Sequence, residues 1–156
     1  LPEQWKFTGR NRQPPRDPLN ALLSLGYTLA LADIRQMVIA EGFDPAFGFL
    51  HQPYPAREAL ALDVLEIFRS GVDLFALNLL AELTPESFYY REAEGCRLSK
   101  AARPLFYREW AIYRDNWPRP LAGNRGGQLE TAPLQEQVRG QLRLLRQVLE
   151  EVKDAG

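Results

Sequence analysis

The stretch "RDPLNALLSLGYTLALADIRQMVIAEGFDP" sets apolar residues at nearly every angular position of a helix. Asp17 reads as an N-cap, Pro18 as the first helical residue and Gly42 as the stop, which predicts one long and central helix. Asn20, Ser24 and Thr28 recur at four-residue spacing and predict a line of small groups against which a second helix can approach. A second helix is expected from about Arg57 to Arg69 and a third from about Val72 to Leu83, separated by a break at Ser70 and Gly71. Thr84 and Pro85 read as cap and first position of a short helical turn in "TPESFYY", and Ser99 as the cap of "KAARPLFYREWAIYRDNW", with Pro104 in its first turn or at a kink. The Gly, Pro and Asn density of "PRPLAGNRGGQLET" predicts a linker. A last helix, about Pro133 to Val152, carries Leu134, Val138, Leu142, Leu145, Leu149 and Val152 on one stripe that should pack. No run alternates at period two for long enough to claim a strand, so the expected fold class is all-α and multi-helix, with room for short β pieces before residue 17. The expected layout is a basic N-terminal segment (1–16), a helical core (17–117), a flexible loop (118–132) and a C-terminal packing helix of the same domain (133–156).

Composition narrows the class. At 156 residues, 46% hydrophobic and 25% charged, the chain suits one soluble domain with a real core. The longest apolar run, "LNALLSLGYTLALA", falls short of the roughly 20 residues of a membrane span, so a core helix is expected there. The single Cys96 excludes an internal disulfide, and no targeting segment is visible, which together suggest the cytoplasm. The opening "LPEQW" without an initiating Met suggests part of something longer. The net charge of −1 conceals segregation: +3 over residues 1–16, −7 over 17–90, +4 over 91–125 and −1 over 126–156. An acidic centre between basic flanks suits a metal site beside a phosphate-binding surface, although solvated charge blocks with no such partner are equally common.

The residues with the most chemistry lie in "GFLHQPYPAREALALDVLEIFR". Three residues along a helix turn about 300°, so Asp63 and Glu66 share one narrow stripe, surrounded by Leu60, Leu62, Val64, Leu65, Ile67 and Phe68. Two carboxylates so placed repel, and a divalent ion, Arg57, Arg69 or an outside base should compensate them. His51, the only histidine, precedes a loop long enough to bring an imidazole to this stripe. Histidine with carboxylates suits Mg²⁺ or Mn²⁺. The plain alternatives are a hydrogen-bonded structural histidine and a solvated acidic face. Ligand count speaks against structural zinc, the lone histidine and the missing nucleophile elbow against serine or cysteine hydrolysis, and the missing Lys-Ser/Thr ending of "AGNRGG" against a phosphate loop, so that stretch reads as linker. Arg10, Arg12 and Arg16 of "GRNRQPPRDP" suit phosphate binding or a merely solubilised terminus.

In order and at this separation, "GRNRQPPRDPLNALLSLGYTLA", "GFDPAFGFLHQ" and "AREALALDVLEIFR" resemble the helical C-terminal domain of the CRISPR adaptation integrase, the Cas-one family, with "CRLSKAARPLF" a looser match. The resemblance implies an all-helical lobe holding a divalent metal on DNA, with His51 and Glu66 as ligands and Asp63 as the adjacent acid that helps hold metal or water. It implies Arg57 on DNA phosphate or substrate charge. The family's third ligand, a glutamate of an earlier helix, would lie before Leu1, so this stretch alone is expected to be inactive. The implied activity is a metal-dependent DNA endonuclease and integrase that inserts captured DNA fragments into a CRISPR repeat array by transesterification, as a homodimer assembled with the Cas-two protein. The rival readings are a non-catalytic DNA-binding or assembly module, and a helical scaffold in which Asp63 and Glu66 pair with Arg57 and Arg69.

Overall fold

The computed structural model describes residues 1–11, 14–44, 59–119 and 130–155. Its helices are α1 (Pro18–Ala40), α2 (Ala59–Glu82), α3 (Arg103–Asp115) and α4 (Leu134–Asp154). Two antiparallel pairs accompany them: β1 (Phe88–Arg91) with β2 (Gly95–Leu98), and β3 (Trp117–Pro118) with β4 (Thr131–Ala132). The all-α expectation is therefore corrected to a helical fold with small sheets, and the strands fall well after residue 17.

Local chemistry sets the ends of α1. Asp17 Oδ1 accepts the Asn20 amide N–H at 2.9 Å, satisfying a donor of the first turn. At the other end Gly42, at φ +80, closes the helix, its N–H donating to the Ile39 carbonyl and that of Phe43 to Val38. In length and hydropathy α1 matches a membrane span, which the sequence expectation did not foresee; 33% of that stretch is buried within the protein, and Leu22, Ala30, Ile34 and Val38 are fully so. The expected helix approach along Asn20, Ser24 and Thr28 is not where α1 packs closely. Asn20 is buried, but Thr28 is exposed and its hydroxyl donates back to the Ser24 carbonyl at 2.8 Å. Close approach is instead at Gly26, where an added Cβ would lie 3.0 Å from Val72 Cγ1 and 3.8 Å from the Trp110 ring.

Helix α2 runs unbroken through Ser70 and Gly71, so the two helices expected there are one. Glycine inside a helix costs about 1 kcal/mol. Burial of Val72, Phe75, Ala76, Leu79 and Leu80 just beyond it outweighs that cost. The expected helical turn after Thr84 shrinks to a 3₁₀ turn, Pro85–Ser87, capped by Thr84, and the aromatic residues that follow turn extended as β1. Strand β2 is pinned to the N-terminal segment, because Cys96 N–H donates to the Pro15 carbonyl at 2.7 Å. Gly95, at φ +72, is required there, since a Cβ would collide with that carbonyl. Pro104 sits in the first turn of α3 without a kink penalty.

The chain divides into two compact units, Leu1–Leu29 with Arg69–Tyr113, and Ala30–Phe68 with Arg114–Gly156, so that α1 and α2 each contribute to both. The first is centred on Phe75, whose ring lies 5.3 Å from Phe106, 5.0 Å from Trp110 and 5.2 Å from Tyr113. In the second, Trp117, Leu134, Val138 and Leu142 are buried, and the Gln137 side-chain amide donates to the carbonyls of Trp117 and Ala132, fixing the start of α4 against β3 and β4. The α4 stripe packs over its first half alone: Leu149, Val148 and Val152 are 37%, 55% and 66% exposed.

Candidate metal and nucleic-acid site

The acidic pair stands on α2 in the second unit. Asp63 is buried, at 9% exposure, and Glu66, one turn on, is exposed. The burial of Val64, Leu65 and Phe68 holds this turn in place, and the two acids leave the helix about 60° apart around its axis. Both also make interactions within the protein. The structure thus places both acids on one helical stripe, as the spacing predicts. His51, Arg57 and Arg12 lie outside the described residues, as does the stretch "AGNRGG". Among the described residues no three His, Cys, Asp or Glu side chains cluster closely enough to hold a metal by themselves. As donors, two carboxylate oxygens from one helix turn suit a hard divalent cation and leave room for further ligands.

The same unit holds a cleft of about 320 Å³ lined by Asp33, Gln36, Met37, Arg114 and Arg139 among others. Both of its arginines are paired: Arg114 Nη1 lies 3.1 Å from Asp33 Oδ1, and Arg139 Nε lies 3.2 Å from Glu41 Oε1. Arg146 donates to the Glu41 carbonyl and stands over the Phe43 ring, 5.1 Å from its centroid.

Of the basic N-terminal residues, Arg16 is exposed, with its backbone N–H donating to Asn11 Oδ1 at 3.1 Å. Arg10 is held more firmly. Its guanidinium lies 4.7 Å from the centroid of the Tyr27 ring, and Nη1 is 3.5 Å from Asp73 Oδ1. Arg69 also reaches the Tyr27 ring, at 5.6 Å, and the Tyr27 hydroxyl donates to Asp73 Oδ1 at 2.8 Å. Tyr27 and Asp73 escaped the sequence reading because they lie 46 residues apart; the basic "GRNR" run was the sole signal pointing to this corner.

The family described as CRISPR associated protein Cas1 matches residues 1–111. A CRISPR-associated endonuclease Cas1 of Thermus thermophilus is 42% identical over 130 residues, covering 80% of this chain and 39% of the relative. The chain thus spans about two fifths of that relative's length. Among solved structures, a partial Cas6-RT-Cas1–Cas2 complex matches 97% of this chain and 44% of its own, at 26% identity and a TM-score of 0.78. A Cas1 protein from Thermotoga maritima matches 73% of this chain and 37% of its own, at 27% identity and a TM-score of 0.67. With the matched stretch running through the basic segment, α1, the acidic turn of α2 and most of α3, the chain belongs to the CRISPR-associated Cas1 family.

Proposed function

We propose that this chain supplies the helical, metal-holding part of a divalent-metal-dependent DNA endonuclease and integrase, which inserts captured DNA fragments into a CRISPR repeat array by transesterification. The observation that supports it most is the pair Asp63 and Glu66, one turn apart on α2, inside the stretch matched by the Cas1 family. Glu66 and His51 would hold Mg²⁺ or Mn²⁺, with Asp63 alongside as a further oxygen donor. Such an ion, when bound, supplies a lowered pKa for an attacking 3′-hydroxyl and positive charge for the phosphoryl oxygens. The chain's own part is positional. The buried turn around Asp63 would set where the two acids leave the helix, while Arg10, Arg12, Arg16 and Arg57 would neutralise backbone phosphates and orient the DNA.

The Cas2 protein as a partner is supported by the likeness to a Cas1–Cas2 complex. The homodimer and the cytoplasmic setting rest on the family resemblance and on the lone cysteine. The test uses a protein of the relatives' length that carries this chain. Replacing His51 or Glu66 by Ala should lower Mn²⁺-dependent integration of labelled DNA by about 100-fold or more, since a lost ligand weakens both metal binding and charge stabilisation. Unchanged integration would overturn the assignment. The exposed apolar end of α4, where Val148 and Val152 are 55% and 66% exposed, favours a second reading, a non-catalytic DNA-binding and assembly module. DNA binding that survives chelator, with no nicking under any metal, would favour it.

A further inference from the structure

Arg139, Arg143 and Arg146 recur along α4 at spacings of four and three residues. Four residues turn a helix by about 400° and seven by about 700°, so the three side chains leave α4 within about 60° of one another, over roughly 10 Å of its length. All three are exposed and lie to one side of the buried stripe Leu134, Val138 and Leu142. The chain just beyond α1 tethers both ends of this row. Arg139 Nε lies 3.2 Å from Glu41 Oε1, while Arg146 donates to the Glu41 carbonyl and keeps its guanidinium carbon 5.1 Å from the Phe43 ring centroid. One residue of the second unit thus holds two guanidinium groups about two helical turns apart. A guanidinium carries five N–H donors in a planar fork that matches phosphate, and a single acceptor leaves most of them open. Arg143, between the tethered pair, has no hydrogen-bond or ion-pair partner among the described residues. The Glu41 carboxylate faces one end of the row, and Glu136 and Glu150 bound it along the helix, which keeps it short. A row of cations at regular spacing fits an anion that itself repeats, as backbone phosphates do.

We propose that Arg139, Arg143 and Arg146 form a track for consecutive phosphates of one nucleic-acid strand, with Arg143 as the open central contact and Glu41 and Phe43 as positioning residues for the outer two. The track rests on the DNA-binding reading above and adds to the basic N-terminal segment a contact surface on α4.

The experiment measures binding of this 156-residue chain to a fluorescein-labelled DNA duplex by anisotropy, across a series of KCl concentrations, with circular dichroism confirming that each variant folds. Each phosphate contact contributes about 0.9 to the slope of log K against log salt, so Arg143→Ala and Arg139→Ala should each flatten the slope by about that much. Arg143→Lys, which keeps the charge, should retain most of the slope. Glu41→Gln separates the track from a purely structural tether. It keeps the backbone carbonyl that holds Arg146 but removes the carboxylate beside Arg139, and should tighten DNA binding about twofold to fivefold, where a tether alone predicts no gain. Slopes unchanged in both alanine variants while the parent chain binds DNA would overturn the track, leave the DNA-binding reading standing and turn the row over to an acidic protein partner. A parent chain that binds no duplex at low salt would overturn both.

Discussion

Asn20 joins more of the first unit than any cap rule predicts. It is 2% exposed: its side-chain amide donates to Asp17 Oδ2 at 2.6 Å and to the Gly9 carbonyl at 2.9 Å, and Oδ1 accepts the Asn11 N–H. Asn20→Ala leaves several of these groups buried without partners, at about 1–3 kcal/mol for each such group. A loss of about 3 kcal/mol in urea unfolding is expected. The Asp17 cap, Pro18 and the Gly42 stop were readable in the sequence because their chemistry acts within one turn. The roles of Asn20 and Tyr27 were not, because their partners are set by tertiary placement. Cys96 offers a pH test. Burial first, and the Asp17 carboxylate second, push its thiol from 9.0 up to about 11. Between these values the unfolded chain releases the thiol proton while the folded one retains it. Stability linked to Cys96 is therefore complete below pH 9 and falls as pH rises to about 11. Unfolding free energies of the parent and Cys96→Ala across this range should show the decline in the parent, and a shallower one in the variant.

At the scale of elements, packing overrides local signals in both directions. Ser70 and Gly71 look like a break, yet α2 continues through them because residues beyond the break are buried. Strand β1 was hidden because four residues are too few to show a period of two. The contact of α1 with α2 and α3 at Gly26 predicts that Gly26→Ala, whose Cβ would sit 3.0 Å from Val72 Cγ1, destabilises the first unit by overpacking. The expected cost is about 1–3 kcal/mol, read as a lowered Tm. Helix α4 tests the opposite case. Leu142→Ala, at 1% exposure, should cost about 2–5 kcal/mol, whereas Val152→Ala, at 66% exposure, should stay within about 0.5 kcal/mol. Equal costs would mean that the stripe packs along its whole length.

For the molecule as a whole, the linked motifs made the family readable, since three stretches in fixed order restrict the possibilities far more than one pair of acids. The placement of Asp63 and Glu66 followed from helical geometry alone. The approach of His51 to them did not, because it depends on how a proline-rich loop folds, and that loop lies outside the described residues. The counter-ion of Arg10 in the basic N-terminal segment, Asp73, belongs to the acidic stretch in sequence, a pairing that charge counts along the chain do not reveal. The central proposal is that Glu66 of α2 and His51, which precedes that helix in sequence, together hold one divalent ion. Its most direct test is Mn²⁺ binding, followed by electron paramagnetic resonance, in a protein of the relatives' length carrying this chain. The account predicts one Mn²⁺ per chain, with affinity lowered about 10-fold or more by Glu66→Ala or His51→Ala and unchanged by Asp33→Ala in the paired cleft. Equal Mn²⁺ affinity in the parent and Glu66→Ala would contradict it.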